Sequence, residues 1–164
     1  MRKEKFLALG LTALLLYVLG PMTANAAGET EKNVETIHWY KLAQGEKMAA
    51  RQKKPLVVDF ATGAGCPRCE KMGREAYKDP EVISKLNRDF IPVKVDLSRP
   101  ITDEERNLGN RFDYRNDCLL LFLDYKGNPI ADPIEGKLCF IDVVNAKDFI
   151  KYLDLALKNA QKTK

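Results

Sequence analysis

In a short apolar run at 56–60, Leu56, Val57, Val58 and Phe60 enclose a single charge, Asp59. Such a run suits a central strand covered on both faces. Gly63 and Gly65 then reverse the chain, and residues 66 to about 78 have helical spacing with Met72 and Ala76 on one side. Upstream, residues 34–39 predict a short first strand, and a helix runs on to about Lys53 with Leu42, Met48 and Ala49 as its apolar side. Downstream, Asp79 as N-cap and Pro80 at N1 start a helix through Val82, Ile83 and Leu86. Residues 90–97 predict a strand, with Ile91, Val93 and Val95 alternating against Lys94 and Asp96. Thr102 or Asp103 caps a helix over 104–112. A further buried strand over 118–124 turns at Lys126, Gly127 and Asn128 into a hairpin partner over 129–134. Asn145 and Asp148 open a last helix that carries Phe149, Ile150, Leu153 and Leu157. With the two helical segments between residues 66 and 86 counted as one, the order is strand, helix, strand, helix, strand, helix, two hairpin strands, helix, which is an α/β pattern without internal repeats.

The first 26 residues have a different character. Arg2, Lys3 and Lys5 precede an apolar run over 6–20, and Ala24, Asn25 and Ala26 follow it, the three-part layout of a secretory signal peptide. The run falls short of the roughly 20 apolar residues that a spanning helix needs. The expected organisation is therefore a signal peptide over 1–26, a flexible lead-in over 27–33 and one domain over 34–164. Cleavage lowers the formal charge from +4 to +2, and the lysines are spread along the chain apart from Lys158, Lys162 and Lys164, so the charge does not argue for nucleic acid. The mature protein is expected to be periplasmic or secreted, monomeric and not membrane-spanning. It keeps all four cysteines, and such a compartment permits disulfides.

Cys66-Pro67-Arg68-Cys69 adds chemistry to the strand, turn and helix. Cys66 falls at the helix N-terminus, where unpaired N–H groups and the positive end of the dipole stabilise a thiolate. Cys69, three residues on, lies on the same face within disulfide reach. A pair so placed performs dithiol–disulfide exchange, with Cys66 as the attacking sulfur and Cys69 as the one that resolves the mixed disulfide. Arg68 and Lys71 add positive potential near Cys66, and Glu70 offsets part of it. A zinc knuckle would need a second close pair of ligands, whereas Cys118 and Cys139 are 21 positions apart and the only histidine, His38, is distant in sequence from the cysteines. An inert structural disulfide is the other alternative for the motif.

From Asp59 to Met72 the chain resembles the thioredoxin-like superfamily, and within it the exported or periplasmic domains with a Lys-Pro start, an Asp-Phe pair, a glycine turn and Cys-x-x-Cys before Lys-Met. The likeness extends from about Ile37 to about Leu157. It implies a three-layer α/β fold, a mixed central sheet with helices on both faces. It also implies a thiol–disulfide oxidoreductase without a cofactor, which would act on exported protein substrates and be served by a redox partner protein. Asp59 takes the place of the buried aspartate that the family uses near the resolving cysteine, where a carboxylate can take and return a proton. A hydrogen-bonded buried carboxylate with no catalytic part is the alternative for Asp59.

Residues 111–124 depart from the family pattern. A gapless match puts Cys118 in the slot of the cis-proline that faces the Cys-x-x-Cys, with Asp117 at the preceding position, which binds substrate peptide in the family. A cis bond before a non-proline residue costs about 2.5–4 kcal/mol, so a trans bond is expected at Cys118. A cysteine in this slot brings a third sulfur toward Cys66 and Cys69, and Cys139, just after Gly136, offers a fourth. One expectation is a second disulfide, Cys118–Cys139, structural or redox, worth roughly 3 kcal/mol as a loop closure. Another is a metal-binding protein that holds copper, zinc or an iron–sulfur cluster on Cys66, Cys69, Cys118 and Cys139. Free thiols at Cys118 and Cys139, and a binding module whose Cys-x-x-Cys is only a staple, complete the alternatives.

Overall fold

The computed structural model describes residues 35–62, 65–116, 119–133 and 136–161. The expected signal peptide over 1–26 and lead-in over 27–33 lie outside the described residues, as do Asp117 and Cys118. In chain order the elements are α1 (Leu42–Gln52), β1 (Leu56–Ala61), α2 (Pro67–Glu75), α3 (Pro80–Asp89), β2 (Ile91–Asp96), α4 (Asp103–Arg111), β3 (Leu120–Leu123), β4 (Cys139–Phe140) and α5 (Ala146–Ala160).

β1 lies inside the sheet, whose strand order is β2-β1-β3-β4. It pairs parallel with β2 and antiparallel with β3, and β3 pairs antiparallel with β4, so the sheet is mixed. Every residue of β1 is buried, as the continuous apolar run requires. Alternation along the strand sends Val57 to the face covered by α2, α3 and α5, where it joins Met72, Leu86 and Phe149. Leu56, Val58 and Phe60 go to the other face and pack with Leu42 and Ala49 of α1 and Leu108 of α4. Asp59 shares the face of Val57, and the charge is thus set among apolar neighbours beneath α2.

The helix starts follow their capping residues. Asp79 Oδ1 accepts from the Glu81 and Val82 N–H groups at 2.9 and 3.1 Å. Thr102 and Glu105 form a reciprocal capping box. Asn145 Oδ1 accepts from the Asp148 N–H at 3.0 Å. α1 lies so close to β2 that a Cβ at Gly45 would run into the Val93 side chain. No helix among the described residues is long and apolar enough to cross a membrane.

Two expected elements differ. The described part of the first strand expected over 34–39 is not a strand, because the His38 N–H and the Thr36 carbonyl bond to the Asn87 side chain instead of a neighbouring strand; one parallel bridge follows at Tyr40, with Val93. Of the hairpin partner expected over 129–134, the described residues 129–133 keep a single bridge, Leu123 with Pro129. Pro129 has no N–H to donate, and the turn before it is organised by the buried Asp124, whose Oδ1 accepts from the Lys126 and Asn128 N–H groups at 2.8 and 2.9 Å. The chain returns later, and Cys139 and Phe140 take the edge of the sheet beside Leu121 and Leu120.

Candidate active site

The parallel pairing of β1 and β2 brings Ala61 and Asp96 to the same end of the sheet, and from that end β1 leads directly to the two cysteines. Gly65 takes a φ of +86°, a conformation that side chains other than hydrogen disfavour. Cys66 then has extended backbone and is the N-cap of α2, with Pro67 in the first turn, where its missing N–H costs nothing. The Cys66 Sγ accepts from the Cys69 N–H at 3.1 Å, and the Cys66 carbonyl accepts from the Glu70 N–H at 3.0 Å.

Cys66 and Cys69 are joined as a disulfide with their Cα atoms 5.2 Å apart, and both residues are half-buried. On reduction, a negative charge on Cys66 would keep the Cys69 N–H as a donor and the positive helix end as its background. The Thr62 hydroxyl lies 3.9 Å from Cys69 Sγ.

Asp59 is 1% exposed, and both of its oxygens are engaged. Arg68, the residue just before Cys69, donates from Nη1 to Oδ1 at 3.0 Å, and the Tyr77 hydroxyl donates to Oδ2 at 2.8 Å. Arg68 also donates from Nε to the Ile141 carbonyl at 3.0 Å, while its Nη2 is buried without a hydrogen-bond partner. Lys94 is the register partner of Asp59 on β2, yet its ammonium sits over the Trp39 ring at 4.5 Å and the Tyr77 ring at 5.5 Å. Burial of the Tyr77 hydroxyl, then the charge of Asp59 and the hydrogen bond to it, push the phenol well above its ordinary range; Arg68 works against them.

In the sequence Arg68 reads as positive potential near Cys66, with no partner assigned. In the structure its charge is committed to Asp59. Lys71 is exposed and meets Glu75 only at 4.0 Å, a surface pair that contributes little. The partnership of Arg68 and Asp59 had one readable signal, since a charge inside an apolar strand needs a counter-ion. Tyr77 and the Ile141 carbonyl gave no such signal, because they depend on how α2 and the segment after β4 pack.

Cys139, on β4, is disulfide-bonded. Its expected partner Cys118 and the expected substrate-binding Asp117 lie outside the described residues. Cys139 also borders a groove with Phe140, Ile141, Asp142, Val143 and Tyr152, and Ile141 is the residue whose carbonyl Arg68 holds. Among the described residues no group of three or more His, Cys, Asp or Glu side chains converges to hold a metal. The expected four-sulfur set includes Cys118 and so falls outside them.

A buried mixed sheet, helices on both faces and a disulfide at the start of the helix after the inner strand can be compared with known proteins. The sequence profile of the family described as Thioredox_DsbH, protein of unknown function DUF255, matches residues 27–107. A solved structure described as a DsbH oxidoreductase is 21% identical, with 75% of this chain and 85% of that chain covered and a TM-score of 0.55. A thioredoxin from Thermus thermophilus is 20% identical over 79% of this chain and 94% of its own, with a TM-score of 0.56. The oxidised C-terminal domain of DsbD from Neisseria meningitidis is 18% identical over 71% and 90%, with a TM-score of 0.53. No curated protein matches the chain significantly. At these identities the likeness to solved structures is one of fold: the chain has a thioredoxin-like fold, with the Cys66–Cys69 disulfide in its strand, turn and helix, and the DUF255 family profile covers its residues 27–107.

Proposed function

We propose that the protein is a thiol–disulfide oxidoreductase that exchanges disulfides with other exported proteins through Cys66 and Cys69. The observation that carries this reading is the Cys66–Cys69 disulfide at the N-terminus of α2, with the Cys66 sulfur already accepting from the Cys69 N–H. Cys66 attacks as the thiolate, a bond forms between its sulfur and one sulfur of the partner's disulfide, and the other partner sulfur leaves with the electron pair. Cys69 then attacks Cys66 Sγ, which closes the protein disulfide and releases the partner as a dithiol. The reverse sequence oxidises a partner dithiol.

Action outside the cytoplasm is supported by the leader-like pattern over 1–26, and a disulfide at Cys139 in addition to Cys66–Cys69 suits an oxidising compartment. Exported protein substrates and a redox partner protein follow from the chemistry, since each turnover leaves the pair in the opposite oxidation state.

The test uses the reduced mature protein and an exposed disulfide in a test protein. Wild type is expected to reduce it, and Cys66→Ser to lose the activity. Full exchange by Cys66→Ser would contradict the assignment. Metal analysis of protein purified without oxygen distinguishes the metal-binding alternative, which predicts stoichiometric metal on the reduced cysteines.

A further inference from the structure

Arg68 lies inside the redox motif, in the first turn of α2, and its guanidinium is tied to Asp59 and to the Ile141 carbonyl. Its side chain is 13% exposed and that of Asp59 is 1% exposed, so the two charges face each other in a site largely removed from water. We propose that the Arg68–Asp59 ion pair sets the redox equilibrium of the Cys66–Cys69 disulfide, with Arg68 as a positioning residue and Asp59 as its counter-ion. The proposal rests on the oxidoreductase reading and deepens it.

Two facts point this way. Both oxygens of Asp59 accept hydrogen bonds, one from Arg68 and one from Tyr77, so the carboxylate is held by donors from the side of α2. Lys94 is opposite Asp59 in the sheet but is occupied with the rings of Trp39 and Tyr77, which leaves Arg68, among the described residues, as the cation paired with Asp59. An intact pair has no net charge. Removing either member leaves the other's charge in a poorly screened site between β1 and the first turn of α2, the turn that carries Cys69 and follows Cys66. The two removals therefore act with opposite sign on the negative charge that reduction places on Cys66.

The equilibrium can be written with glutathione, a monothiol. The Cys66–Cys69 bond breaks and one S–S bond forms between two glutathiones, whose sulfurs give up two electrons to the protein. Of the two protons released, one goes to Cys69, and the other goes to Cys66 or to solvent, which in the latter case leaves Cys66 as thiolate.

The experiment equilibrates full-length mature wild type, Asp59→Asn, Arg68→Met, Arg68→Lys and the double variant Asp59→Asn/Arg68→Met with fixed glutathione ratios at neutral pH. The dithiol fraction is counted by alkylation and mass. Asp59→Asn is expected to move the equilibrium about tenfold toward the dithiol and Arg68→Met about tenfold toward the disulfide, the size of one unit of thiolate stabilisation. The double variant should return to within about threefold of wild type, and Arg68→Lys should stay near it. Shifts of the same sign in the two single variants, or no shift in Asp59→Asn, would overturn the proposal. If Arg68→Met does not fold, Asp59→Asn and the double variant carry the comparison, because neither buries an unpaired anion. A wild type that glutathione never reduces would overturn the oxidoreductase reading along with the pair, whereas a wrong pattern of signs overturns the pair alone.

Discussion

Arg68 donates to Asp59 at 3.0 Å from a position between the two redox cysteines, so the charge buried in β1 and the side chain inside the Cys-x-x-Cys motif are one ion pair. Helix α2 is held to the sheet by this pair as well as by apolar contact through Met72.

Arg68→Ala should therefore destabilise the domain strongly, because it leaves Asp59 buried without its counter-ion. Breaking such a pair costs roughly 3–5 kcal/mol, and a loss of that order is expected in urea unfolding. The double variant Asp59→Asn/Arg68→Ala should recover much of the loss. A single-variant loss below about 1 kcal/mol would mean that water reaches the carboxylate and that the pair contributes little.

Tyr77 makes a second prediction, at alkaline pH. Its phenol is raised above the ordinary value of 10.0 by burial first and by Asp59 next. The protonated phenol is the favoured form in the folded state. Its contribution to stability is therefore complete below about pH 10 and is lost as pH rises toward the folded value. Stability is expected to fall above about pH 10, and Tyr77→Phe should flatten that fall. At neutral pH the same variant removes one donor from a buried carboxylate and should cost roughly 1–3 kcal/mol. An identical alkaline profile in wild type and variant would contradict the linkage.

Much of this arrangement is legible in the sequence, and the reason is local. The run around Val57 and Val58, the caps at Asp79, Thr102 and Asn145, and the cysteine at a helix start depend on neighbours within a few residues. What was missed depends on distant packing. The described residues of the strand expected over 34–39 form no ladder and a bridge appears only at Tyr40, and Cys139 and Phe140 replace the stretch after Pro129 at the sheet edge. The pairing of Arg68 with Asp59 was not read for a similar reason. Its distance in sequence to Asp59 is short, but whether the side chain turns toward the sheet or toward Cys66 is decided by the space left beneath α2. Ile141, 73 positions away from Arg68, carried no sequence signal at all.

The bonded state of Cys139 yields a further prediction. If its partner is Cys118, as the sequence leads one to expect, Cys139→Ser should release one titratable thiol at Cys118 in the oxidised protein. Stability should fall by about 3 kcal/mol, the loss expected for a removed loop closure. Peptide mapping without reduction identifies the bridge directly. A wild-type protein with two free thiols and no metal would contradict both the second disulfide and the metal site.

The most direct test of the redox assignment is trapping. When Cys66 attacks a partner and Cys69 resolves, Cys69→Ser leaves the mixed disulfide without a way out. The variant should be incubated with an exposed test disulfide, and the adduct mapped by mass spectrometry after digestion. The account predicts a covalent adduct on Cys66 that survives until a thiol reductant is added, and none in Cys66→Ser. An adduct carried mainly by Cys139, or the same yield of adduct in both variants, would contradict it.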